Sequence, residues 1–420
     1  MTKSIVFIVL AALTGLTGSL AWSAVLTVRP GESIGAAIRA ASPGDTVRVM
    51  RGDYAEHLVI DKPLVLQGMD RPTVRAEFSG DVIRVRASDV TIQGFIVRDS
   101  GIDQTAQNAG IYFEPGSDRP TVQDCDVVHN LFGIWLENLK DAKIIRNVIT
   151  GRRDLLSAAR GNGVQVYNVK GVQVIDNNIS HARDGIYADV SRDAIFRGNK
   201  IHHLRYGTHY MNTNYSTWEN NETYLNRGGL ALMEVRNLVV RNNRAWGNSD
   251  HGIMLRTIQD SVVEDNVVAG NARGFFIYDV EYAKLTGNLV VGNQVGVHLS
   301  AGSTRNQVER NDFIANREQV RYVGARDEVW GGTVGNHWGN YLGWDRDGDG
   351  RGDVRYEAND IVDRLTWRHP MVKLLLASPA VQALRLVAHQ FPLLRVPSVV
   401  DPKPRMAPSR QTWSKWNEQH

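Results

Sequence analysis

Among the histidines and methionines of this 420-residue chain, four form a candidate set for a soft metal ion: His209, Met211, Met233 and Met254. Thioether sulfur and imidazole nitrogen are soft and borderline ligands that suit Cu(I), and methionine stays usable in an oxidising compartment where thiols are at risk. A second set is hard. The stretch DRDGDGRGD places Asp345, Asp347, Asp349 and Asp353 at the first, third, fifth and ninth positions of a calcium-type loop, with Gly350 at the sharp-turn position. The twelfth position, where an EF-hand carries a bidentate glutamate, holds Tyr356, and Glu357 falls one residue late. The expectation is a variant Ca²⁺ loop with a structural role; the alternative is a polar turn that needs no ion. A third set could serve polysaccharide chemistry: Asp124 and Asp126 with His129, Asp184, and Asp250 with His251. A glycosidase needs two carboxyls across the scissile bond, and a lyase needs a base with a cation to stabilise the carbanion. These aspartates fall mainly at turns, where Asp occurs for conformational reasons, so no catalytic residue is assigned.

What positions these residues is a repeat. From about residue 130 a glycine opens a short apolar strand every 22 residues or so, at Gly133, Gly163, Gly185, Gly207, Gly229, Gly252, Gly274 and Gly296. Asparagines keep the same beat at Asn147, Asn177, Asn199, Asn221, Asn243, Asn266, Asn288 and Asn311, with a second apolar strand between each glycine strand and its asparagine. Short alternating strands with a fixed turn residue at this period predict an all-β chain folded as a parallel β-helix, one repeat per coil. Asparagine suits the turn because it tolerates left-handed backbone angles, and stacked asparagines can hydrogen-bond up the column. Right-handedness follows from the general rule for parallel crossovers. The longer interval between Gly133 and Gly163 predicts that residues 151–160 loop out.

Parallel coils stack about 4.8 Å apart, so the alignment is also a contact map. The first and third residues after each glycine are mostly aliphatic and should face the core; the second and fourth should face out. The outward set then runs through Trp135, Tyr167, Tyr187, His209, Met211, Met233, Met254, Phe276, Tyr278 and His298, with His209 and the three methionines converging on one patch. Three readings of this strip stand: a Cu(I) site, a sugar-binding groove in which aromatic faces stack on pyranose rings, and a partner surface or a face under an ordered loop.

The ends of the chain complete the layout. Residues 1–24 have the charged start, apolar run and small-residue finish of a secretory signal peptide, with cleavage after Ala21 or Ser23 better than after Ala24, which would put Trp22 three residues before the cut. Retention as a membrane anchor is the weaker option because the run is short, and no later segment is apolar enough to span a bilayer. Cys125 is the only cysteine, so no internal disulfide can form. Forty-eight basic and 45 acidic residues are spread along the chain, which argues against a nucleic-acid groove. The segment SIGAAIRAA predicts a short amphipathic helix with Ser33 as N-cap, covering the open end of the first coil. The β-helix should occupy 25–323. A Gly/aromatic cap with the aspartate loop should follow at 324–370, and then a tail at 371–420. That tail holds an amphipathic helix near Pro379–His389 and a Pro-rich end, from Asp401 on, expected to be disordered or ordered by a partner.

The stretches GNHWGNYLGWDRDGDGRGDVRYEAND and SPAVQALRLVAHQFPLLRVPSVVDPKPRM, together with the capped start AIRAASPGDTVRV, resemble the NosD family, periplasmic β-helix proteins of nitrous oxide reductase maturation. The resemblance covers essentially the whole chain after residue 24; the repeat alone is shared with many carbohydrate-associated β-helices. It implies a non-catalytic periplasmic protein, membrane-associated through the membrane subunit of an ABC transporter and its ATPase, and working with a copper chaperone lipoprotein to supply the copper-sulfur centre of nitrous oxide reductase. No family motif certifies His209, Met211, Met233 and Met254 as ligands. The alternative from another class is a polysaccharide lyase, epimerase or hydrolase, or a carbohydrate-binding protein.

Overall fold

In the computed structural model, residues 23–300, 302–322, 330–358, 365, 369–375, 378–390 and 399–417 are described. The expected signal peptide falls, up to Trp22, outside them. The chain winds as a right-handed parallel β-helix with three sheets of 13, 12 and 13 strands, and strand order in each sheet follows the order of the coils. We call the 12-stranded sheet the glycine sheet. In each regular coil it is followed by a short strand of the second sheet and another of the third, as in Tyr206–Met211, Thr217–Glu219 and Glu222–Tyr224.

The strand glycines are required by crowding between coils. A Cβ on Gly207 would lie 2.8 Å from the carbonyl oxygen of Gly229, and one on Gly229 would lie 2.2 Å from that of Gly252. These glycines do not have positive φ angles, so the reason is close approach of backbone to backbone rather than turn geometry. As expected, the residues one and three after each glycine are buried, Thr208 and Tyr210 among them.

The asparagines hydrogen-bond up the column as expected, but they are not the left-handed residues of the turn. In the column from Asn147 to Asn311 it is the residue before each asparagine that adopts left-handed angles, Asp176 at φ 55°, Asn220 at φ 56° and Asn242 at φ 53°. The asparagines themselves are buried and form a ladder: Asn221 Nδ2 donates to Asn243 Oδ1 at 3.0 Å, and Asn243 Nδ2 to Asn266 Oδ1 at 3.0 Å, while each Oδ1 also accepts the backbone N–H one coil below. The side chain thus satisfies backbone groups that turn away from the sheets, which the fold cannot leave unpaired. A second ladder, Asn226, Asn248, Asn271, Asn293 and Asn316, does the same at the next corner. Its spacing is equally regular in the sequence.

Both ends are closed. The helix Ile34–Ala40 buries Ile34 and Ile38 against the first coils; Ser33 Oγ accepts from Ala36 N, and Glu56 accepts from the backbone of Ile34 and Gly35. At the other end the solenoid runs beyond the expected limit at Val323. Asn336 joins the first ladder, His337–Trp338 adds a strand to the third sheet, and Trp330 and Trp338 are buried in the core.

The segment from Asp401 was expected to be disordered or ordered by a partner, and the chain itself orders it. The strand Val399–Asp401 pairs antiparallel with Tyr356–Ala358. The buried Asp401 carboxylate terminates the ladder, its Oδ2 accepting from Asn336 N (2.8 Å), Asn336 Nδ2 (3.0 Å) and Trp338 Nε1 (3.0 Å). Arg405 then binds Asp312 at 2.6 Å, and Trp413 and Trp416 pack on Val267, Ala269, Leu289, Val291 and Ile314, the apolar outer face of the third sheet. That face explains the tail: residues on it would otherwise be an exposed apolar patch. Among the described residues no helix is long and apolar enough to cross a membrane.

The ladder should dominate local stability. Asn243→Ala strands buried donors and acceptors on both sides, each worth about 1–3 kcal/mol; the expected loss, read as a shifted denaturant midpoint, is about 3 kcal/mol. Unchanged stability would show that water replaces the rung.

Candidate functional site

The strand Tyr206–Met211 turns Thr208 and Tyr210 into the core, leaving His209 and Met211 on the outer face. Register then fixes their neighbours. His209 pairs with Tyr187 on one side and Ala231 on the other, and Ala231 pairs with Met254; in the adjacent column Met211 pairs with Met233, and Met233 with Arg256. His209 and the three methionines therefore surround the small side chain of Ala231. Met211 and Met233 are one coil apart, whereas Met254 stands two coils from His209.

The strip is less open than the alternation predicted. Met233 and Trp135 are each only 7% exposed. Trp135 stacks on Tyr112 and packs edge-on against Phe132, with Leu155 of the looped-out segment packed on the same cluster. Its Nε1 donates to Glu137 Oε2 at 3.1 Å. The loop that interrupts the period thus covers this end of the strip. Met233 lies between two long side chains, Met211 and Arg256, in its column. Of the rest, Tyr167 and Tyr278 are exposed, and Tyr187, Phe276 and His298 are half-buried. Burial, then the charge of Arg273, pushes His298 down to about 4.

His209 is held by a group the sequence did not connect to it. Asp184, 1% exposed, receives Arg205 Nε at 2.9 Å and Nη2 at 2.6 Å, and its Oδ2 lies 3.2 Å from His209 Nδ1. Burial alone would raise the Asp184 carboxyl, but the hydrogen bonds from His209 and Arg205 outweigh it and hold the pKa below the usual carboxylate value. Nδ1 of His209 thus lies between the Asp184 carboxylate and Arg205 Nη2, 3.3 Å away; in the tautomer that donates from Nδ1 to the carboxylate, Nε2 keeps its lone pair. A carboxylate fixing the far nitrogen is the usual arrangement behind a metal-binding imidazole. Tyr187 and Tyr206 flank the ring edge-on at 4.9 and 5.6 Å between centroids. The signal was present: Asp184 directly precedes Gly185, and Arg205 and Tyr206 directly precede Gly207.

The other candidate carboxylates are each paired with a cation: Asp124 with Arg146, Asp126 with Arg71, and Asp250 with Arg273, its second oxygen 3.6 Å from His251 Nδ1. His129 faces Asp99 at 2.6 Å, at a left-handed turn position. His251 is 1% exposed, inside the wall rather than on it.

In the aspartate loop, Asp345, Asp347 and Asp349 bring carboxylate oxygens within 4.8 Å of one another. Asp353, expected as a fourth ligand, instead accepts from Arg346 N at 2.8 Å. Asp345 already accepts from the amides of Gly348, Asp349 and Gly350, so the turn closes on its own hydrogen bonds. The loop is pinned to the tail through Gly352 N to Pro404 O and Met406 N to Gly350 O.

With this geometry in place, comparison decides the family. The family model for NosD, described as a periplasmic copper-binding protein, matches residues 145–343. A probable ABC transporter binding protein NosD of Pseudomonas aeruginosa is 37% identical over 370 residues, covering 84% of this chain and 86% of the relative. Its counterpart in Stutzerimonas stutzeri is 34% identical over 375 residues, 86% of each. The chain belongs to the NosD family. Among solved structures, the A-module of the Azotobacter vinelandii mannuronan C-5 epimerase AlgE6 aligns with TM-score 0.57 at 16% identity, covering 70% of this chain and 94% of that one. The Streptococcus pneumoniae surface adhesin PfbA aligns at TM-score 0.50 and 10% identity, covering 76% and 91%. At these identities the likeness is one of fold alone. NosD is a periplasmic family whose curated relatives are named as transporter binding proteins.

Asp184→Asn tests the anchoring of His209. With the folded pKa below the ordinary value of about 3.9, the carboxylate contributes stability that is present above about pH 4 and lost as pH falls below it. The variant should be less stable at pH 7 by about 3–5 kcal/mol, the range for a broken buried pair, and the gap to the parent should narrow as pH falls below about 4. A gap that persists in acid would show the loss to be steric.

Proposed function

We propose that this protein serves maturation of the copper-sulfur centre of nitrous oxide reductase, as a periplasmic platform that holds Cu(I) briefly as cargo at His209 with Met211 and Met233, with Met254 at the rim. The observation that carries this reading is His209 itself. Its Nδ1 faces a buried carboxylate, and the residue stands on the outer face two residues along the strand from Met211, which the register stacks on Met233. The donor set suits Cu(I), and the family's description as copper-binding supports the choice of cargo. Arg256, next to Met233 in its column, disfavours a permanently resident cation and so fits passage better than storage.

On this reading the partners are the transporter's membrane subunit with its ATPase, a copper chaperone lipoprotein, and the reductase. The relatives' printed names support the transporter. The helix Pro379–Gln390 offers one docking element: Val381 is buried, whereas Val387 is exposed, as are Met371 and Leu374 in the preceding 3₁₀ turn. Against the glycosidase form of the polysaccharide-acting alternative weigh the cation partners of Asp124, Asp126, Asp184 and Asp250, which engage the carboxyls such an enzyme would need. Calcium at Asp345, Asp347 and Asp349 remains a structural proposal, secondary because the turn satisfies its own carboxylates.

The test is anaerobic Cu(I) titration against a competing chelator, comparing the mature protein with Met211→Leu/Met233→Leu, a pair that keeps size and apolarity but removes sulfur. Affinity should fall at least tenfold in the double variant, and the same variant should fail to restore the reductase's copper-sulfur centre in a strain lacking this protein. Equal titrations would take the strip out of the metal pathway.

A further inference from the structure

Around the corner from the strip, where the third sheet turns into the glycine sheet, lies a cleft of about 440 Å³ lined by Ser157, Arg160, Arg183, His203, Arg205 and Arg227. Its chemistry is set by the repeat. Arg183, Arg205 and Arg227 each stand two residues before a strand glycine (Gly185, Gly207 and Gly229), so three successive coils, about 4.8 Å apart, present a guanidinium at one turn. One coil further the position holds Asp250, and the column of arginines ends.

Like charges stacked on neighbouring strands are destabilising, and among the described residues only one of the three has an acidic partner. Arg205 is held by Asp184. Among the described residues the guanidinium groups of Arg183 and Arg227 have neither an acid nor a hydrogen-bond partner, although their backbones are paired between coils. The opposite wall is the looped-out segment, and it adds more positive charge. Arg160 is locked in place by backbone carbonyls, donating to Leu155 O at 2.9 Å and His181 O at 3.1 Å, with no carboxylate on it. Arg153, on the same segment, donates to His181 Nε2 at 2.9 Å. The local field registers on the histidines: burial first, then Arg153, with Arg160 contributing, pushes His181 down to about 4.

A concave surface with a pre-positioned guanidinium and two unpaired ones is complementary to oxyanions, whose geometry the guanidinium fork matches. The volume is in the range of small-molecule sites. We infer that this cleft is a binding site for a small multivalent oxyanion, carrying carboxylate or phosphate groups. Arg160 and Arg183 grip the ligand from opposite walls, and Arg227 holds its far end. The site uses neither the thioethers nor His209; the residue it shares with them is Arg205, which also holds Asp184 and is left unchanged in the variants below.

Isothermal titration calorimetry of the full mature chain at low salt, with citrate, inorganic phosphate and pyrophosphate as separate probes, tests the inference. Citrate alone would assign a carboxylate ligand, and pyrophosphate with phosphate a phosphate one; either should saturate at one per chain and weaken as salt is raised. Arg183→Gln/Arg227→Gln should weaken binding at least tenfold, and the Lys pair at the same positions should fall in between, because charge remains while the fork is lost. The control is Lys140→Gln/Lys170→Gln, which removes equal charge from a basic pair bridged between coils elsewhere. Because the guanidinium groups of Arg183 and Arg227 have no partner among the described residues, and the substitutions keep the backbone bonds, the variants should unfold at the parental temperature. No saturable binding of any probe, or an equal loss in the lysine control, would overturn the site.

Discussion

The fold depends on what happens at its corners. Three sheets satisfy the backbone along the strands, but at each turn the peptide groups point away from any strand, and a solenoid repeats that difficulty on every coil. Buried asparagine solves it because one amide both donates and accepts, so the donor of one coil meets the acceptor of the next and the pattern propagates without a break. A ladder of this kind cannot simply stop. Its last rung needs a group that accepts without having an N–H to donate onward, and the Asp401 side chain is such a group, its Oδ2 accepting from Asn336 N and Nδ2. The end of the β-helix is therefore fixed by a residue 65 positions later in the chain.

That long-range closure explains which parts of the structure the sequence made legible. Gly207, Thr208 and Tyr210 could be placed from periodicity because their environment is the neighbouring coil, and the neighbouring coil is the same sequence shifted by one period. Asp401 belongs to no period, and the polar residues around it read as a disordered tail; nothing local announces that Asn336 lacks an acceptor. Trp135 and Met233 stand on the outer face as the alignment has them, and their burial was missed for a related reason. Alternation says which way a side chain leaves the sheet, and it cannot say what lies over it, whether the inserted segment carrying Leu155 or the long neighbours Met211 and Arg256.

The candidate site follows the same division. The column positions of His209, Met211, Met233 and Met254 came directly from the alignment and agree with the observed register. The partnership of Asp184 with His209 did not, because Asp184 leaves its strand one residue before the glycine and reaches diagonally across a coil. Arg205, two residues before its own glycine, completes the contact from the turn. Groups that orient a functional side chain tend to come from such off-register positions, since the register positions are already committed to stacking.

A flat sheet face also limits what it can hold. Ligands in one column are spaced by the coil repeat, about 4.8 Å, and all project to the same side, so the face can offer a soft cation an imidazole and one or two thioethers but cannot close a coordination shell around it. On the proposed reading the missing ligand comes from whichever partner is docked, and transfer becomes ligand exchange between two half-shells. The rigidity of the stacked coils then helps, because the face need not reorganise as one partner replaces another, and the energetic difference between loading and release lies in the partners.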